Sequence, residues 1–213
     1  IGARAFYGTS LTDVISDSIL TVGDYAFAAN TEAEQNTSAL KQVILSSVTS
    51  IGAYAFANNP KLTRADIASA TQIGEGAFDG DAALSVLEVS SAKSIGNYAF
   101  RGTAALTEVS LPALETIGSL VFDGSSITEI DLPATVTSVA EQAFAGAKGL
   151  TSITVDEGNA LYLSENGVLY RNTGSYNYVT LVAYPEGKTD TGSQKQLFSD
   201  VELAMWAAEP IRK

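Results

Sequence analysis

Ile95-Gly96-Asn97-Tyr98-Ala99-Phe100, followed by Leu106-Thr107-Glu108-Val109-Ser110-Leu111-Pro112, decides the architecture, because the same phrase returns along most of the chain. Ile-Gly-x-x-Ala-Phe or a close variant begins at Ile1, Val22, Ile51, Ile73, Ile95, Ile117 and Val139, and the last four steps are each 22 residues. A fixed period of that size belongs to a stacked array, in which each unit buries its apolar side against its neighbours. The spacing predicts one elongated solenoid of about seven 22-residue units.

Two phrases alternate within each unit. In Leu84/Leu87/Val89, Leu106/Val109/Leu111, Ile127/Ile130/Leu132 and Leu150/Ile153/Val155 the last two apolar positions are two apart, the spacing of a strand with one face inward. These stretches are expected to stack as short parallel strands. The other phrase sets an apolar residue and a Phe five apart, with a small residue before the Phe, and reads as a helical or 3₁₀ turn on the opposite side. The Gly at 2, 23, 52, 74, 96 and 118 supplies either a conformation or a closeness to the adjoining coil that a Cβ would hinder, although Ala140 departs from the rule. Phe6, Phe27, Phe56, Phe78, Phe100, Phe122 and Phe144 are expected to form a buried ladder rather than a ligand groove, with Tyr25, Tyr54 and Tyr98 half exposed outside it.

Composition narrows the chemistry. Twenty-four acidic against twelve basic residues give a net charge of −12, which repels phosphate backbones and anionic lipid. With no Cys and no His, disulfides, thiolate nucleophiles, imidazole triads and zinc sites built on those residues are excluded. No apolar run approaches the length of a membrane span, and no charged-then-apolar leader precedes Ile1. Since Ile1 falls inside a repeat phrase, the chain is expected to be a fragment of a longer protein.

Pattern and period together resemble the leucine-rich repeats of the BspA-like family of bacterial surface proteins, from residue 1 to about residue 190. The resemblance extends to Asp156-Glu157-Gly158-Asn159, Gly167-Val168-Leu169-Tyr170 and Leu181-Val182-Ala183-Tyr184-Pro185-Glu186-Gly187-Lys188. It implies an α/β repeat, a right-handed leucine-rich-repeat solenoid displayed outside the cell. It also implies a non-enzymatic role in adhesion, with a host or neighbouring-cell protein as partner. Many members carry a Cys three residues after the Phe, where this chain has Thr9, Asn59, Asp81, Thr103, Ser125 and Ala147. Small or polar residues are acceptable there.

Residues 1–155 are thus expected to form the solenoid, with a polar insertion near 28–39 that contains the glycosylation-type tripeptide Asn36-Thr37-Ser38. Residues 156–190 read as a β-meander covering its open end, with Asn166-Gly167 as a hairpin turn and Tyr176–Tyr184 as a third strand. Residues 191–213 read as a linker-like tail with a short helix over Val201–Ala208.

Candidate binding residues lie between the inward positions of the strands. One outward column runs Asp13, Gln42, Arg64, Val86, Glu108, Glu129, Ser152, and the other Ile15, Ile44, Asp66, Glu88, Ser110, Asp131, Thr154. At the parallel spacing of about 4.8 Å, seven units make a face of roughly 30 Å. Its Asp66, Glu88, Glu108, Glu129 and Asp131 are the candidate contacts to a protein partner. Neighbouring exposed carboxylates repel by only about 1 kcal/mol in water, so the patch needs no ligand to exist. No Asp-x-Asp-x-Asp-Gly loop supports a calcium site. Paired carboxylates could hydrolyse a glycoside, but only in a pocket that raises one pKa, which a flat repeat face does not supply. No catalytic residue, cofactor or metal is therefore assigned. The alternatives are a glycan-binding module using C-terminal tyrosines such as Tyr170 and Tyr178, and a purely structural spacer.

Overall fold

A computed structural model describes residues 1–30, 38–173 and 179–189. In chain order its strands are β1 (Asp13–Ser16), β2 (Thr21–Val22), β3 (Gln42–Leu45), β4 (Ser50–Ile51), β5 (Arg64–Asp66), β6 (Gln72–Ile73), β7 (Val86–Glu88) and β8 (Ser94–Ile95). There follow β9 (Thr116–Ile117), β10 (Glu129–Leu132), β11 (Ser138–Val139), β12 (Ser152–Val155), β13 (Tyr162–Glu165), β14 (Val168–Asn172) and β15 (Val179–Ala183). The first twelve wind into a parallel β-solenoid with two strand ladders, one in the order β1-β3-β5-β7 and the other running β2-β4-β6-β8-β9-β11 without interruption. The pair β10-β12 resumes the first ladder beyond a gap.

Apolar side chains from successive coils fill the interior. Phe27, Phe56, Phe78, Phe100, Phe122 and Phe144 are all buried, and rings from Phe6 to Phe122 stack at centroid spacings of 5.0–5.8 Å. Phe6, on the first coil, is covered on one side and stays 38% exposed. Tyr25, Tyr54 and Tyr98 are half-buried on the outer side, where Tyr25 and Tyr54 stack at 5.2 Å.

The helical or 3₁₀ turns expected before each Phe are not formed; among the described residues there is no helix, and the coil is all β and turn. Hydrogen bonding explains the difference. The N–H groups of Phe27, Phe56, Phe78 and Phe100 donate to Ala55, Ala77, Ala99 and Val121 of the next coil at 2.7–3.0 Å. The intervening N–H groups of Ala26 and Ala77 instead close local turns onto Gly23 and Gly74. A helix needs consecutive N–H groups to point the same way, whereas a left-handed residue two before the Phe, such as Tyr25 (φ 54) or Tyr98 (φ 59), makes them alternate.

From Gly23 to Gly118 the Gly of the phrase serves close approach, not unusual conformation, whereas a Cβ on Gly2 of the first coil would meet nothing within 4 Å. A Cβ on Gly96 would lie 2.6 Å from the nitrogen of Glu75, and one on Gly118 would lie 2.6 Å from the nitrogen of Asn97. Ala140, in the same column, still donates to the carbonyl of Ile117 at 3.0 Å.

The expected strand through Leu106, Val109 and Leu111 is also absent. Among the described residues Thr107–Ser110 make no backbone hydrogen bond, and Leu111 accepts only the local one from Leu114. Leu106 and Leu111 remain buried, so the core holds the coil in place without the ladder. Glu88, Glu108 and Glu129 on successive coils repel there, which opposes pairing; Pro112 does not set this coil apart, since β10 pairs with β12 although Pro133 follows Leu132 in the same way. The ring ladder is wider at the same steps, 5.7 and 5.8 Å against 5.0–5.3 Å earlier.

At the far end β13-β14-β15 form an antiparallel sheet. Its Asn166-Gly167 turn lies on the edge of β12, where the N–H of Ile153 donates to the carbonyl of Gly167 at 2.9 Å. The Tyr162 ring is buried, with its hydroxyl accepting the N–H of Val139 at 3.0 Å, and Leu169 joins the solenoid core. The Asn36-Thr37 half of the glycosylation-type tripeptide, Tyr176–Tyr178 of the third strand and the tail helix lie outside the described residues.

Candidate functional site

Pairing in the first ladder fixes the outward columns. Asp13, Gln42, Arg64 and Val86 are successive partners, as are Ile15, Ile44, Asp66 and Glu88; beyond the gap Glu129 pairs with Ser152 and Asp131 with Thr154. Asp66 and Glu88 are thus neighbours in register. Glu108 lies on the unpaired coil and has no ladder partner on either side, so the expected Glu108–Glu129 contact is not set by strand pairing.

The face divides electrostatically. On its first half the acids have partners: Asp66 meets Arg64 at 3.2 Å, and Asp13 accepts hydrogen bonds at 2.6 Å from Thr12 and from Gln42, which hold its carboxyl below the usual range. On the second half Glu88, Glu108 and Glu129 are exposed and make no ion pair among the described residues. Asp131 is exposed and accepts a hydrogen bond from the hydroxyl of Thr154. Beside them a groove of about 400 Å³ crosses three coils, with Val109, Leu111, Pro112, Leu132, Pro133 and Val155 as its apolar part and Ser110, Asp131, Thr154 and Asp156 as its polar part. Among the described residues no group of three acids is placed to hold a metal ion.

Of the C-terminal tyrosines among the described residues, Tyr170 and Tyr184 are half-buried and Tyr162 is buried. Tyr162 is consumed by the core, Tyr170 is half-buried with its phenol pKa raised by burial, then by Glu165, and Tyr178 lies outside the described residues. On the turn side, the Tyr54 hydroxyl donates to Glu75 at 2.8 Å, which pushes its pKa up to about 12.

Among the described residues one carboxylate is buried in the core. The column three residues after the Phe is buried at Asn59, Asp81, Thr103 and Ser125. Asn59 and Thr103 each donate to the carbonyl of the Phe three residues before them, Thr103 at 2.7 Å. Asp81 is 0% exposed; its Oδ1 accepts the N–H of Asn59 at 2.7 Å and its Oδ2 has no partner. Desolvation pushes its pKa well above the ordinary carboxylate value. Because the folded-state pKa is raised, this group's contribution is fully present below its unfolded pKa and is lost as pH rises through the folded one. Asp81→Asn, which copies Asn59 one coil away, is expected to raise Tm at neutral pH by about 3–6 °C, the equivalent of about 1–2 kcal/mol in a chain of this size. It should make no such difference in acid. Melts from acid to neutral pH check this; an equal Tm difference at every pH would contradict it.

Comparison with known proteins bears on the same residues. The BspA type leucine rich repeat region matches in six copies, over residues 1–113 and 71–181. A leucine-rich repeat protein from Eubacterium ventriosum superposes with a TM-score of 0.64 at 32% identity, covering 72% of this chain and 41% of that one. A leucine rich cell surface protein from Faecalibacterium prausnitzii superposes with a TM-score of 0.59 at 23% identity, over 81% of this chain and 51% of that one, a likeness of fold. The T. pallidum leucine rich repeat protein gives 0.51 at 26% identity over 56% of this chain and 60% of that one. The chain therefore spans about two-fifths to three-fifths of the length of these solved relatives. No curated protein matches it.

Proposed function

Because this chain belongs to the BspA-type leucine rich repeat family, we propose that it is a surface-displayed, non-enzymatic binding module that holds a protein partner against the outward face of its first strand ladder. The observation that carries this reading is the set of exposed acids Glu88, Glu108, Glu129 and Asp131, none of them in an ion pair among the described residues, on a wall whose shape is fixed by the core behind it. Such a wall binds without reorganising, which lowers the entropic cost of association, and its charge selects basic surfaces. Display at the cell surface accords with the cell-surface name of the F. prausnitzii relative. A leucine-rich-repeat face presents breadth rather than a closed pocket, and this favours protein binding over catalysis.

The test is solid-phase binding to a panel of extracellular matrix proteins and to a glycan array. The quadruple variant Glu88→Gln/Glu108→Gln/Glu129→Gln/Asp131→Asn is expected to lose about tenfold or more in affinity for any matrix protein bound. It should melt within about 1 kcal/mol of the parent, because these exposed charges contribute little to folding. A glycan hit abolished by Tyr170→Ala and untouched by the quadruple variant would overturn the proposal.

A further inference from the structure

We propose that the groove over the Ser110, Asp131 and Thr154 coils seats an extended cationic segment of a protein partner, with its arginine or lysine heads entering the break in the first strand ladder. This rests on the reading of the ladder face given above and names where on that face the contact is made and what chemistry it takes.

Three features coincide at this place. The groove, about 400 Å³, has Pro112 and Pro133 in its lining and Asp131 and Asp156 among its polar groups. Its upstream side is the coil whose Thr107–Ser110 backbone makes no hydrogen bond, in a ladder that is bonded on every other coil from β1 to β12. The carboxylates around that coil, Glu88, Glu108 and Glu129, make no ion pair among the described residues, whereas Asp66, one coil further from the break, is paired with Arg64. The carboxylates and the coil's free carbonyls are acceptors, while its free N–H groups can take the carbonyls of an extended segment lying alongside. An arginine head, with five donors in a planar fork, or a lysine head, with three, meets the acceptors.

Shape decides between a segment and a lone ion. The acids are spread along the coils and do not converge in threes, so a hard cation would not gather its oxygen shell here. Crossing three coils is about 10 Å, which an extended chain covers in about three residues. Alternate side chains then point the same way, so a segment alternating cationic and apolar residues sets charge over the acids and apolar groups on the prolines and Val155.

The probe is a fluorescent peptide of roughly ten residues alternating arginine and valine, long enough to overrun the groove, with a glutamate-valine peptide as control. Polarisation should show the arginine peptide binding the whole chain, weakening as salt rises, and the glutamate peptide not binding. Ser110→Trp, which fills the groove from an exposed position, and Asp131→Asn should each weaken binding about tenfold, while Glu141→Gln, outside both columns, should leave it unchanged. Amide exchange at residues 107–111 should slow when the peptide is bound and stay unchanged in β5. Variant melts matching the parent establish that Ser110→Trp acts locally. Absence of peptide binding, equal weakening by Glu141→Gln, or indifference to Ser110→Trp overturns the proposal. A matrix protein that loses affinity for the quadruple variant but ignores Ser110→Trp overturns the groove and leaves the broader reading standing; one that ignores both removes both.

Discussion

Phe78→Ala is expected to cost about 3–5 kcal/mol, a large share of the about 5–15 kcal/mol that stabilises a whole domain. The ring is completely buried and stacks on Phe56 at 5.2 Å and on Phe100 at 5.7 Å. In a solenoid the damage is not confined to one coil. Stability is approximately a sum of unit terms and nearest-neighbour interfaces, so a void at the middle of the ladder weakens two interfaces at once and uncouples the coils on either side. Circular-dichroism melts should show a Tm lower by about 10 °C or more, or a transition broadened into two. A single transition within about 2 °C of the parent would show that the ladder is not what binds the coils together.

Gly96→Ala is expected to be nearly as damaging, at about 2–3 kcal/mol, although it adds one methyl group. The new Cβ would lie 2.6 Å from the nitrogen of Glu75 and 2.8 Å from the carbonyl carbon of Gly74. Both are backbone atoms, so no side chain can swing aside. The coil cannot retreat either, because the N–H of Gly96 donates to the carbonyl of Ile73 at 2.8 Å in the uninterrupted ladder. Gly2→Ala is the matched control: its Cβ would meet nothing within 4 Å, and its effect should stay within about 0.5 kcal/mol. Urea melts of the two variants side by side check the difference, and equal destabilisation would refute the close-approach explanation.

Side-chain periodicity made the coil legible because burial follows it directly. Leu84, Leu106, Ile127 and Leu150 recur at strand entry and Phe56, Phe78, Phe100 and Phe122 five residues after the second strand's apolar residue, and all eight are buried. What periodicity does not carry is the direction of the N–H groups. An Ile and a Phe five apart are buried equally well by a 3₁₀ turn and by alternating turns that donate to the next coil, and what distinguishes the two is the left-handed residue two before the Phe, at Arg4, Tyr25, Tyr54, Gly76, Tyr98 and Leu120, of which Gly76 alone is a glycine. Tyr is not a residue from which positive φ is ordinarily read.

Burial hides the break in the first ladder in the same way. Leu106 and Leu111 keep their spacing because they are buried whether or not their backbone pairs, so the apolar pattern runs through the gap unchanged; the succession Glu88, Glu108, Glu129 was the available signal, since Pro112 has a counterpart, Pro133, on the paired coil. Asp81 was visible only as one polar residue in a column of polar residues. Its burial follows from the inward direction of that column, which Asn59, Thr103 and Ser125 share without carrying a charge.

Native-state hydrogen exchange tests most directly the claim that coil-to-coil contact makes a rigid wall with one unpaired coil in its outward face. The amides of Phe56, Phe78 and Phe100, bonded to the next coil, should exchange only through global unfolding, while those of Thr107–Ser110 exchange as freely as a loop. Fast exchange at the three Phe amides, or protection at Thr107–Ser110 equal to that of β5, would contradict it.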